Sequence, residues 1–152
     1  MLSPSDIRLL AFAQTLELTT RDIYAAVVSR KSLSDDESAL LEQFYAHHVA
    51  YEQALNGLLS MNATNKRDDA IYAGFSAKLS EAQNIWIALL EIENIMIASH
   101  TKAIETIASA KVAALVASII TVEARHAAIL ASQTTTNIST ALDNNTTALV
   151  AS

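Results

Sequence analysis

The 152-residue chain is 51% hydrophobic, holds only two glycines and one proline, and carries a net charge of −6, which suits one helical domain with one sizeable core. Its ten Lys and Arg residues are scattered along the sequence, so there is no concentrated basic face and a nucleic-acid partner is excluded. Cysteine is absent, which rules out disulfides, thiolate metal sites and thiol catalysis, and leaves His and carboxylates as the metal ligands on offer.

Ser3-Pro4-Ser5-Asp6 reads as a helix start, with Ser3 at the N-cap and Pro4 at the first helical position. The first long helix is expected to run to about Arg30-Lys31, basic residues suited to a helix C-terminus. Its seam is Leu10, Ala13, Glu17, Thr20, Tyr24 and Val27, so Glu17 is an acid on the oily side. No basic segment leads into an apolar one here, and Glu or His interrupts each longer apolar run. The expectation is a cytoplasmic protein with no membrane partner, an exported mature form being equally compatible.

Ser34-Asp35-Asp36-Glu37 is a capping box that opens the second helix after a short connection, which makes the first two helices antiparallel neighbours. The spacing assigns its seam to Leu41, Phe44, His48, Tyr51, Leu55 and Leu58, with an end near Met61. His47 is rotated about 100° from His48 and reads as a rim residue, and Glu52 falls at the seam's edge. Residues 62–69 are polar and turn-like, and residues 70–79, with Ile71, Tyr72 and Phe75, read as a short packed helix. Together they form a long crossover, so the next helix can start at the far end of a bundle.

The third long helix is placed from about Ser80-Glu81, with the seam Trp86, Leu89, Leu90, Glu93, Ile97, His100 and Ile104. After a boundary at Ser109-Ala110-Lys111, the fourth carries Val112, Val116, Ile119, Glu123, His126 and Leu130 in alternating steps of four and three. Glu123 and His126 stand one turn apart, about 60° around the axis, where both can reach one interior point. A buried carboxylate costs several kcal/mol unless a cation or hydrogen-bond partner meets it. From Gln133 to Ser152 the sequence turns to Thr, Asn, Ser and Ala and reads as a flexible tail with a helical turn near Ala141-Leu142. The expected division is therefore one domain over residues 1–132 and a tail over 133–152.

The two halves repeat. Glu17 is followed seven residues on by Tyr24, and Glu93 seven residues on by His100; His48-Val49-Ala50-Tyr51 then matches Glu123-Ala124-Arg125-His126. This layout resembles the ferritin-like superfamily of carboxylate-bridged di-metal four-helix bundles, whose cores use a Glu from each of two helices and Glu-x-x-His from the other two. It is most similar to the bacterial ferritin-like domain proteins, through Glu93-Asn94-Ile95-Met96-Ile97-Ala98-Ser99-His100 and Val122-Glu123-Ala124-Arg125-His126. The resemblance implies an all-α antiparallel bundle with a long crossover between helices 2 and 3. It implies Glu17 and Glu93 as terminal carboxylates, Glu123 as a bridging carboxylate and His126 as a terminal imidazole.

The second helix departs from the family pattern, offering His48-x-x-Tyr51 where Glu-x-x-His is expected. Three carboxylates leave two divalent ions at +1 and a single ion at −1. One ion, or two unequal sites with His48 as a ligand, is therefore the expectation. Glu52, at the seam's edge, is the substitute carboxylate, and Tyr24, Tyr51 and His100 read as hydrogen-bonding neighbours of the ligands. Iron is the metal implied, then manganese, with zinc also suited to such ligands; redox or oxidase activity is open, and so is a homodimer. The competing reading is a degenerate bundle without metal, a structural or interaction module in which the acids pair with His48, His126, Tyr24 and Tyr51.

Overall fold

A computed structural model describes residues 2–80, 85–135 and 137–151, and among them there is helix and no strand. Four long helices, α1 (Pro4–Val28), α2 (Asp35–Leu59), α4 (Ile85–Ile104) and α5 (Ala110–Thr134), are joined by the shorter α3 (Asp69–Leu79) and followed by a single turn, α6 (Ile138–Ala141). This is the expected all-α class. Contacts divide the chain into two compact units, residues 13–85 and residues 1–12 with 86–152.

In the unit of residues 13–85, α1 ends at Val28, so Arg30 and Lys31 lie beyond it instead of in its last turn. Arg30 N–H donates to Val27 O at 2.9 Å and tightens the chain out of the helix. The capping box forms as expected: Ser34 Oγ accepts from Glu37 N–H, and Glu37 Oε2 accepts from Ser34 N–H at 2.8 Å. At its other end α2 stops at Leu59, and a 3₁₀ turn over Ser60–Asn62 carries the chain off at Ser60, whose φ is 52°.

The buried residues of α2 are Leu41, Phe44, His48, Glu52, Leu55 and Leu59. Tyr51 is half-buried and Glu52 takes the interior position, which corrects the expected seam. The reason is helical pitch: at 3.6 residues per turn a straight helix drifts about 20° per heptad from a 3.5 repeat, and two successive steps of four, Phe44 to His48 and His48 to Glu52, take up the drift.

The crossover is fastened along α1. Thr64 N–H donates to Gln14 Oε1 at 2.8 Å, Asp68 N–H to Thr19 Oγ1 at 2.8 Å, and Arg67 Nη1 to Asp22 Oδ2 at 3.1 Å. Arg67 also lies over the Tyr72 ring at 3.6 Å, a cation–π contact. Asp68 then caps α3 by accepting from Ala70 and Ile71 N–H, both at 2.9 Å.

In the other unit, α5 buries all six of its expected seam residues, Val112, Val116, Ile119, Glu123, His126 and Leu130. It is also long and apolar enough to cross a membrane by length and composition, against the expectation that Glu and His interrupt every such run. A core helix of a compact protein passes the same test. The seam of α4 differs more: Ile85, Ala88, Leu89, Ile92, Glu93, Met96, Ser99, His100 and Ala103 are buried, while Trp86, Leu90, Ile97 and Ile104 are intermediate. Its expected start at Ser80-Glu81 falls partly outside the described residues.

Asp6 near the start of α1 is buried and accepts from Ala108 N–H at 2.9 Å, which fixes the loop between α4 and α5. The segment after α6 returns to α4, where Asn144 Nδ2 donates to Asn94 O at 3.1 Å and Leu149 N–H to Ser99 Oγ at 3.0 Å.

Candidate metal centre

Each helical hairpin buries carboxylates against imidazoles. On the α1–α2 hairpin, Glu17 Oε2 lies 2.8 Å from His48 Nδ1. On the α4–α5 hairpin, Glu93 Oε1 lies 3.0 Å from His126 Nδ1, and Glu123 Oε2 lies 3.2 Å from His100 Nδ1. These six residues are 0% exposed except His126, at 1%. The pairs run across helices, so Glu123 meets an imidazole of α4 while its own neighbour His126 meets the acid of α4.

This follows from side-chain direction. Residues three apart on a helix project side by side toward its N-terminus, whereas a facing helix presents its groups head-on. His100, expected to hydrogen-bond a carboxylate, is the residue that faces Glu123.

Around the first pair, Tyr24 is fully buried and its ring stacks on His48 with centroids 5.2 Å apart. Phe44 closes against Tyr24 edge-on at 6.1 Å. Tyr51 meets His48 at 6.4 Å with perpendicular planes and is itself flanked by half-buried His47 at 6.4 Å. Glu52 forms the next layer of the hairpin: its Oε1 accepts from Gln14 Nε2 at 3.1 Å, and its Oε2 meets Arg21 Nη1 at 4.0 Å.

Gln14 and Arg21 were not read from the sequence as part of the site. Gln14 is 0% exposed, and the one available signal was an amide three residues before Glu17 within an otherwise apolar stretch.

The donor types in each hairpin suit a cation. Glu17, His48, Glu93, Glu123 and His126 are all buried and offer carboxylate oxygens and ring nitrogens of the kind that could hold a metal ion. Such oxygen and nitrogen donors suit Fe, Mn and Zn alike. Two donors bound to one ion at about 2.1 Å and a right angle stand about 3 Å apart, the separation found within each pair.

A helical protein whose long helices bury matched acid–imidazole pairs belongs to the class of carboxylate–histidine helical proteins. The ferritin-like domain family matches residues 5–136, and the chain belongs to that family. No curated protein and no solved structure was found to match it.

Proposed function

We propose that the chain is a metal-binding ferritin-like protein, a single domain through about residue 132, with Glu17, His48, Glu93, Glu123 and His126 as ligands. The observation that carries the reading is the set of buried acid–imidazole contacts of 2.8–3.2 Å, at least one in each hairpin. Family organisation supports drawing the ligands of one centre from both hairpins. Iron is the metal proposed, with manganese and zinc as alternatives. With three carboxylates, a single ion or two unequal ions is the stoichiometry that charge favours.

Within each hairpin the residues act in one of two ways. The acid and imidazole are co-ligands of one ion, or the acid holds Nδ1 and turns Nε2 toward the ion, as in carboxylate–histidine–metal arrangements. Tyr24 fixes the plane of His48 by stacking. A bound iron or manganese would supply redox chemistry with oxygen, provided a coordination position stays open.

A second reading is favoured by one specific observation: Glu17, Glu93 and Glu123 each meet an imidazole, an arrangement that could satisfy them without metal. Protein purified without chelator and reconstituted separately with Fe(II), Mn(II) and Zn(II), then assayed by elemental analysis after gel filtration, decides between them. About one to two ions per chain support the metal centre; none with any of the three supports the structural module.

A further inference from the structure

The Glu17–His48 contact does not end the polar layering of its hairpin. Because α1 and α2 run in opposite directions, a step of three back from Glu17 and a step of four on from His48 lead to the same neighbouring layer, where Gln14 Nε2 donates to Glu52 Oε1 at 3.1 Å. One helical turn, about 5.4 Å, separates the two layers. Glu52 is only 7% exposed, yet it lines a surface pocket of about 420 Å³ with Leu18, Arg21, Gln53, Asn56 and Asn65. Gly57 also lines the pocket, and a Cβ placed there would meet nothing within 4 Å.

Resting on the metal-binding reading above, we infer that this pocket is the port through which a divalent cation reaches the Glu17–His48 layer, with Glu52 as its transit ligand and Arg21 as a latch. A carboxylate this buried needs a reason to be there, and its hydrogen bond from Gln14 satisfies one oxygen. The other oxygen has Arg21 Nη1 at 4.0 Å, outside hydrogen-bonding range; the Arg21 side chain is 30% exposed, and its Nε and Nη2 donate to Asp22 Oδ1 at 2.9 and 2.8 Å. A contact this long, from a guanidinium already held by Asp22, is weak, so an incoming hydrated cation displaces it at little cost. The pocket walls contribute the amides of Gln53, Asn56 and Asn65, whose carbonyl oxygens replace water around the ion as it enters. The absence of a side chain at Gly57 keeps the mouth wide. Once at Glu52, the cation lies one turn from His48.

A port lowers the barrier in both directions, so its loss slows loading and release together and leaves affinity nearly unchanged. A merely structural residue would not produce that signature. Stopped-flow absorbance with Co(II), whose visible band reports ligation by imidazole and carboxylate, reads loading of the metal-free protein, and chelator chase reads release.

For Glu52→Gln both rates are expected to fall about tenfold, the scale by which a charged cleft raises cation access, while the dissociation constant moves less than threefold. Arg21→Gln, which frees the carboxylate, speeds loading. Gly57→Leu adds a side chain into open space and improves helix propensity, so it folds and yet slows loading. Wild-type rates in both Glu52→Gln and Gly57→Leu, with the Co(II) band intact, overturn the port and leave the metal centre standing. No Co(II) band in the wild type overturns the metal centre and the port with it.

Discussion

Replacing Glu123 by Gln separates a cation ligand from a hydrogen-bond partner. Glu123 is fully buried and its Oε2 lies 3.2 Å from His100 Nδ1. Glutamine keeps the volume and an oxygen acceptor but not the charge, so without metal the change costs about one hydrogen bond, roughly 1 kcal/mol. A metal at a hundred times its Kd stabilises the folded state by about 2.7 kcal/mol. A chain of this size shifts about 2–4 °C per kcal/mol, so the wild type should gain roughly 5–11 °C on addition of metal.

The variant should keep its metal-free midpoint within about 4 °C of wild type and lose most of the gain. Thermal unfolding followed by circular dichroism checks this, on chelator-treated protein with and without Mn(II), Zn(II) or anaerobic Fe(II). An undiminished gain in Glu123→Gln would refute its role as a ligand, and no gain in the wild type with any of the three would refute the centre as a whole.

Glu17→Gln and Glu93→Gln come from different hairpins; if both serve one centre, each alone should remove most of the metal-dependent shift and the double variant should remove little more, a non-additivity readable in the same melts. Ser34→Ala should cost about 1 kcal/mol in urea unfolding by breaking the α2 cap. The Ser34 backbone and hydroxyl contacts hold the Glu37 carboxyl below its ordinary value of 4.5. The stability this contact gives is therefore full above that pH and is lost as pH falls through the lowered value; Glu37→Gln should flatten that part of the acid unfolding curve. Leu89→Ala, at a position 0% exposed, should lower unfolding free energy by about 2–5 kcal/mol through the cavity it leaves. An effect below about 1 kcal/mol would mean that α4 is less tightly packed than its burial indicates.

The capping box at Ser34, the N-cap at Ser3, the scarcity of Gly and Pro, and the apolar periodicity are local features, and they determined the helices and most of their limits without any tertiary information. Where a helix carries one apolar stripe against a polar background, phase was legible too: all six expected seam positions of α1 and of α5 are buried. It failed in α2, where helical drift over four turns brought Glu52 and Leu59 inward in place of Tyr51 and Leu58. It blurred in α4, whose stretch Ile85-Trp86-Ile87-Ala88-Leu89-Leu90 is apolar all round and so gives period no contrast to report.

That the five expected donors are buried was legible because an acid or imidazole in an oily stripe is conspicuous in one dimension. Which acid meets which imidazole was not, because that depends on the height at which facing helices stand. Only the tertiary structure could set His126 against Glu93, His100 against Glu123, and Gln14 against Glu52.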